Sequence, residues 1–511
     1  MQSYKLLDYN DILRIINKSL GVFLCISLII LIGEDQSTYH SPVFPGSEVY
    51  VDVVTVIISL LIMVVCECML IHERNESDPF VLFLMTNIIF FYLLRVLTLL
   101  FFPLSFVLPR FNSGVSDINQ SLWFILFGII AIFIGLKAFK VRQSFVCDNS
   151  TNQEFSANKP YITLLLLLSL LTNAFYWFRY YFFDSTPFSI GDRVSNYLTI
   201  VFNLDLSLLL VLVFLIKYWK ELSKLKRCLL GVPLMLFLFT RTMGGSRSAI
   251  MTLGIIFLSA AMPVLGRIRV KVKVVLICIA IFFVTVPLFA YANFVRDYAD
   301  LEYRSRHSFT GYLMDIYNGT SGNRVIPSIL ARAGYLDMAT DMIVNRESYE
   351  KLINFNYYIQ SIIDNGLTPG VNIFDRPKVP KASNALKHCY NPETFPTLPT
   401  REEIHTVYGS DMFTVFGEFY VLFNGYLSLL VLAVFAYGFK RIYYAWFSRN
   451  EGYKYCYRAI VLFLFYQYWL ISYGLDWIFV DLIKTVIFLL VVWFLMVVTA
   501  IFSLQKRELK S

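Results

Sequence analysis

Apolar runs of about one membrane thickness, separated by short polar or charged connections, recur along most of this chain. A helix of roughly 20 apolar residues spans the ~30 Å hydrocarbon core of a bilayer. The pattern predicts such helices over 13–33, 50–71, 79–102, 118–140, 161–183, 194–219, 228–241, 246–264, 271–292, 413–440, 457–474 and 481–504. The expected fold is therefore all-α: a polytopic integral membrane protein of about twelve transmembrane helices.

One connection is much longer than the rest. It divides the chain into residues 1–292 with nine helices, a large loop at 293–412, and residues 413–511 with three helices and a tail. Within the loop, Tyr349, Leu352, Phe355, Ile359 and Ile362 recur at the spacing of one amphipathic helix lying on the bundle or the membrane surface. A second helix is expected over 327–344, beginning near Pro327, with Leu336, Ala339 and Ile343 on one face. Between Gly366 and Pro399 the density of Pro, Asn and Gly predicts irregular chain. Thr400 to Glu403 reads as a capping box, and Ser410-Asp411 as a cap for the membrane helix that follows.

Charge gives this layout a direction. Lys140, Arg142 and Lys159, then Lys220, Lys224, Lys226 and Arg227, then Arg267, Arg269, Lys271 and Lys273, then Lys440, Arg441, Arg449, Lys454 and Arg458 fall in alternate connections. The short connections at 34–49, 103–117, 184–193 and 475–480 carry only Arg110 and Arg193. Cytoplasmic loops are enriched in Lys and Arg, so both termini are expected in the cytoplasm and the long loop outside. The turn at 241–248 also falls outside, where its arginines depart from the bias.

Composition agrees with the pattern: 57% of the 511 residues are hydrophobic, 17% aromatic and only 16% charged. The net charge of +8 sits largely in short loops beside apolar runs, which speaks for membrane orientation and against nucleic-acid binding. Eight cysteines at 25, 66, 68, 147, 228, 278, 389 and 456 show no paired spacing for disulfides or zinc, and only Cys389 is expected well outside the bilayer. The first apolar run lacks a small-residue cleavage site and reads as a retained helix.

Candidate chemistry centres on Arg241-Thr-Met-Gly244-Gly245-Ser-Arg247-Ser. Guanidinium forks suit phosphate oxygens, paired glycines let backbone approach a ligand closely, and the next helix would add free N–H groups. The same residues also suit an ordinary basic turn that anchors helix ends. Arg296, Arg324 and Arg332 are further outward cations, Arg296 having the alternative of pairing with Asp297 or Asp300. Candidate acids and bases are Glu418, Asp411 and His405, of which Glu418 stands out because it lies in an apolar helix near its outer end. It suits either a base or the counter-ion of a binding arginine, and His405 equally suits plain polar surface. Glu67, Arg95, Arg179, Asp205, Asp481 and Lys484 fall in other helices. Glu67 and Arg179 are expected to snorkel and Asp481 to pair with Lys484, whereas Arg95 and Asp205 are deep enough to line a cavity. No metal-ligand spacing is evident in outward loops, so no cofactor is expected.

This layout, with Arg-Thr-Met-Gly-Gly-Ser-Arg-Ser at 241–248 and Gly-Ser-Asp-Met-Phe-Thr-Val-Phe-Gly-Glu-Phe-Tyr at 409–420, resembles the Wzy-type O-antigen polymerases. The likeness covers most of the chain as topology and these two stretches as sequence. It implies a metal-independent glycosyltransferase of the bacterial inner membrane that joins oligosaccharide repeat units linked to undecaprenyl pyrophosphate, with a chain-length-regulating co-polymerase as a further partner. Arg241 and Arg247, with Arg296, Arg324 or Arg332, would hold the pyrophosphates, with Gly244 and Gly245 at the backbone approach. Glu418, Asp411 or His405 would deprotonate the acceptor. An O-antigen ligase and a lipid-linked oligosaccharide flippase are the alternative readings.

Overall fold

The computed structural model describes residues 7–33, 51–73, 78–101, 115–138, 151–182, 198, 201–243, 249–266, 269–270, 334–368, 379, 381–382, 414–445, 454–471 and 474–508. These form helices α1 (Tyr9–Gly33), α2 (Val53–His72), α3 (Pro79–Phe101, with a π turn at Ile89–Leu93), α4 (Val115–Ala138), α5 (Thr151–Phe182), α6 (Leu204–Lys217), α7 (Lys224–Met243) and α8 (Ala249–Leu265). The long loop contributes α9 (Tyr335–Val344), α10 (Arg346–Leu352) and α11 (Phe355–Ile362), the last continuing into a π turn at Ile363–Leu367. They are followed by α12 (Val415–Leu422), α13 (Ser428–Tyr443), α14 (Lys454–Ile471) and α15 (Leu475–Glu508). A two-residue antiparallel ladder, Leu7–Asp8 with Arg269–Val270, is the one pairing of strands among the described residues.

Among the described residues seven helices are long and apolar enough to cross a membrane: α1, α2, α3, α4, the 161–178 part of α5, Gly425–Tyr443, and the first 24 residues of α15. The chain is thus an all-α, multi-pass membrane protein. α3 is enclosed almost throughout, while α1, α2 and α15 present Ile29, Ile32, Val64, Leu490 and Trp493 outward, as lipid contact requires.

Local sequence explains several boundaries. Asp52 caps α2 by accepting from the Thr55 amide at 2.7 Å, and Asp78 caps α3 ahead of a proline at the first helical position. Asn203 caps α6, so the expected 194–219 crossing contains a helix of only 14 residues from Leu204. Close packing relies on small residues. A Cβ on Gly135 of α4 would lie 2.1 Å from the Ala433 carbonyl oxygen of α13, so the two backbones touch there.

The two ends of the bundle carry different polar clusters. At one end Lys440 Nζ donates to Asp78 Oδ2 at 2.6 Å and to the Leu136 carbonyl at 2.7 Å, while Lys137 pairs with Glu73. These residues end α2, α4 and α13 and begin α3. At the other end, about 24 Å along α3 at 1.5 Å per residue, lies Arg95. There α9 packs on α3, α4 and α12, stacking Tyr335 on Phe91 with ring centroids 4.7 Å apart.

Three expectations about helices are corrected. The 413–440 crossing is interrupted: α12 stops at Leu422, Asn424 and Gly425 adopt left-handed backbone, and the chain restarts as a short 3-10 turn leading into α13. An Asn-Gly pair tolerates positive φ where most residues do not. The amphipathic helix containing both Tyr349 and Ile362 is also two helices, because Asn354 caps a new start by accepting from Tyr357 N at 3.0 Å. Its apolar face divides accordingly: Tyr349 is buried, but Phe355 and Ile359 are exposed. The 481–504 helix instead begins at Leu475, so the expected 475–480 connection is helical. The expected 271–292 crossing, Pro327 and the 400–411 caps lie outside the described residues.

Candidate functional site

Glu418 sits in the first turn of α12, whose start is fixed by Thr414: its Oγ1 accepts from Gly417 N at 3.1 Å. Gly417 allows α9 to press in, since a Cβ there would lie 3.0 Å from Met342. The Glu418 carboxylate is 1% exposed and takes three hydrogen bonds. Tyr358 of α11 donates to Oε1 at 2.6 Å, Tyr468 of α14 donates to Oε2 at 2.6 Å, and the Leu475 amide, first in α15, donates to Oε1 at 2.5 Å. Among the described residues no Arg or Lys forms an ion pair with it. Two phenols and a helix N-terminus hold the carboxylate, whereas the side chains of the binding arginines considered from sequence lie outside the described residues.

The electrostatics of this carboxyl are closely balanced. α12 is too short to cross a bilayer and lies outside the seven crossing helices. Burial pushes the Glu418 carboxyl up to about 7, with the two tyrosine hydroxyls and the Leu475 amide pulling it down and nearby Asp476 adding to the rise. A group poised there changes protonation across the physiological range.

A second buried carboxylate adjoins it. Asp476 of α15 accepts from Ser361 Oγ at 2.5 Å, from Ala382 N at 3.0 Å and from its neighbour Trp477 N at 2.9 Å. Gly474, at φ +101, lies between the two acids: a Cβ there would be 2.8 Å from Asp476 Oδ1 and 3.4 Å from Glu418 Oε1. Only glycine accommodates both that backbone and that spacing. Lys381, next to Ala382, places its ammonium 3.1 Å from the centroid of the Trp477 ring. The loop is fastened further where Asp364 Oδ2 accepts from Val379 N at 2.9 Å.

Arg95 does not line an open cavity. Its guanidinium pairs in bidentate fashion with Asp337 of α9, Nε donating to Oδ1 at 2.9 Å and Nη2 donating to Oδ2, with both side chains fully buried. Asp341, two turns from the start of α9, accepts from Asn345 Nδ2 at 2.8 Å and from the Tyr349 hydroxyl. Burial raises the Asp341 carboxyl, with those two hydrogen bonds opposing the rise. Glu67, expected to snorkel, instead accepts from Arg14 Nε of α1 at 2.9 Å.

Of the residues singled out from sequence, Glu418 is enclosed in this cluster. Arg241 falls in the last turn of α7, where a cation complements the helix dipole; its side chain lies outside the described residues. Gly244, Gly245, Arg247, Arg296, Arg324, Arg332, His405 and Asp411 also lie outside them. Tyr358, Tyr468 and Asp476 escaped sequence reasoning, as did the pairing of Asp337 with Arg95. The chain has 33 tyrosines, so two of them carry no distinguishing mark. Asp476 had one, since an acid two residues after a glycine and ahead of an apolar run is a helix-start signal. Among the described residues no group of three or more His, Cys, Asp or Glu is arranged to hold a metal ion.

Comparisons with protein-family models, curated proteins and solved structures gave no match to this chain.

Proposed function

We propose that the chain polymerises lipid-linked oligosaccharide repeat units at the extracytoplasmic face of a bacterial inner membrane, with about twelve crossings and both termini in the cytoplasm. The observation that carries this reading is Glu418: a buried carboxyl poised near neutrality, at the bundle end where three loop helices pack. The charge bias of the short loops and the two stretches at 241–248 and 409–420 support the assignment of face and substrate class.

In this mechanism Glu418 is the base. Both its oxygens already accept hydrogen bonds, so the acceptor hydroxyl gives its proton to the Tyr358 oxygen while Tyr358 passes its own to Glu418 Oε1. The freed oxygen attacks the anomeric carbon of the donor glycan. The anomeric C–O bond breaks, and undecaprenyl pyrophosphate leaves with the bonding electrons. Arg241 and Arg247, with Arg296, Arg324 or Arg332, neutralise the charge that develops on the leaving group. The bilayer holds both lipid-linked substrates at the same depth.

The test is purified protein with an undecaprenyl-pyrophosphate oligosaccharide, read as a ladder on a gel. The native chain should extend the ladder, and Glu418→Gln should slow it roughly a hundredfold or more, the usual worth of a positioned base. Transfer to lipid A-core with no ladder would overturn the polymerase reading in favour of a ligase. Undiminished ladders from Glu418→Gln would remove Glu418 from the chemistry.

A further inference from the structure

The sequence places an amphipathic helix in the long loop, but the structure turns it over. The buried side of α11 carries Tyr357, Tyr358 and Ser361, of which Tyr358 donates to Glu418 and Ser361 to Asp476, while Phe355 is 60% and Ile359 45% exposed. The π turn at Ile363–Leu367 continues this outward side. Its wider turn brings Leu367, five residues after Ile362, onto the same face, 62% exposed. Three large apolar side chains therefore point away from the protein in one row.

The depth of that row follows from Gly366. A Cβ on Gly366 would lie 3.0 Å from Ile483 Cδ1 and 3.5 Å from Val480 Cα, so the π turn lies directly on the backbone of α15. Val480 and Ile483 are about 7.5 and 12 Å along α15 from Leu475, at 1.5 Å per residue. Leu367 is thus level with Phe479 and Leu482, two exposed residues on the outward stripe of a membrane-crossing helix. That stripe continues through Val486 and Leu490 into the span. Water at this depth would have to cover four or five large apolar side chains in a continuous patch, which monomeric proteins rarely tolerate.

We infer that the outward face of α11 and its π turn, formed by Phe355, Ile359 and Leu367, is a lipid-binding surface seated among phospholipid acyl chains of the leaflet at the Glu418 end. The helix lies in the interface with its apolar side buried ~5–10 Å into the headgroup and acyl boundary, as interfacial amphipathic helices do. Its opposite side supplies Tyr358 to Glu418 and Ser361 to Asp476. One helix therefore separates the buried acids from the lipid. The inference rests on exposure and depth and is independent of the reaction proposed above.

The experiment uses the full chain in nanodiscs, with single cysteines replacing Phe355, Ile359 or Leu367 in a cysteine-free background and each carrying a bimane label. Half the discs contain phosphatidylcholine with brominated acyl chains, which quench only dyes that touch them. Leu482→Cys serves as the lipid-facing reference and Lys220→Cys, in an exposed connection, as the aqueous one. Quenching at the three sites should fall within twofold of Leu482→Cys and several-fold above Lys220→Cys. Quenching no greater than at Lys220→Cys would overturn the inference. So would loss of quenching together with disulfide cross-links between copies through Ile359→Cys, which would give the face to a second copy of the chain. Photoactivatable phospholipid with the native chain gives a second readout: adducts should map to 355–367 as well as to α15. Adducts on α15 alone would equally overturn it.

Discussion

Replacing Arg95 by Met should destabilise the protein by about 3–5 kcal/mol, the usual cost of breaking a buried ion pair from one side. The size follows from geometry: Arg95 and Asp337 are both fully buried, and the pair is bidentate. Met restores much of the arginine stem's volume, so the cost is that of a carboxylate left without a partner. Asp337→Leu should also destabilise, since it takes the bidentate carboxylate away from a fully buried guanidinium. The double variant Arg95→Met with Asp337→Leu should recover part of the loss caused by Arg95→Met, because the carboxylate that the single variant leaves buried is then removed. Equilibrium unfolding in mixed micelles measures the global effect. Hydrogen exchange along α9 measures the local one, and 3–5 kcal/mol corresponds to protection lost by roughly a hundredfold to several thousandfold. Single variants within 1 kcal/mol of native would refute the reasoning, as would a double variant no more stable than Arg95→Met alone.

Other outcomes follow from the same structure. The rate of ladder extension should rise with pH and level off above about 7, since the base must be ionised; a flat profile from pH 5.5 to 8 would contradict Glu418 as base. Stability should move the other way, because a carboxyl raised from 4.5 to about 7 lends stability that is complete below 4.5 and lost by about 7. That difference is about 3 kcal/mol, should vanish in Glu418→Gln, and is read from unfolding midpoints at pH 4.5 and 8. Gly135→Ala should destabilise by about 1–3 kcal/mol, because the new Cβ would meet the Ala433 carbonyl at 2.1 Å; a native-like melting temperature would show that α4 and α13 can part cheaply. In cells, Arg247→Ala should leave single-repeat product on the surface with no polymer, and Arg247→Lys should recover little, since a point charge does not replace a fork. Normal ladders in Arg247→Ala cells would exclude that residue from the mechanism.

Much of the bundle was legible because a membrane helix announces itself by length and apolarity alone. α2, α3 and α4 start and stop within a few residues of the runs that predict them. Misreadings arose where a local signal was overridden by a stronger periodic one. Asn424-Gly425 sits inside an otherwise apolar run and Asn354 inside a helical spacing, yet each ends or begins a helix. Of the site, Glu418 was legible as a carboxylate in apolar surroundings. Its partners were not, since Tyr358, Tyr468 and Leu475 come from three other helices. Arg95 was marked by its depth, but Asp337 lies 242 residues away, and no local pattern links the two.

The ion pair of Asp78 with Lys440 has a consequence for how the protein is made. The two residues are 362 positions apart, and among the described residues Lys440 is the ammonium that pairs with Asp78. At about 5–20 residues per second, a ribosome reaches Lys440 roughly 20–70 s after it has passed Asp78. Throughout that interval α3 has to be inserted with its capping carboxylate still solvated at the bilayer edge, and Arg95 waits similarly for α9. The first helices can therefore enter the membrane early, but they reach their final register only when the last quarter of the chain arrives. Premature termination before residue 440 should accordingly leave a species that is inserted, incompletely packed and open to quality-control proteases.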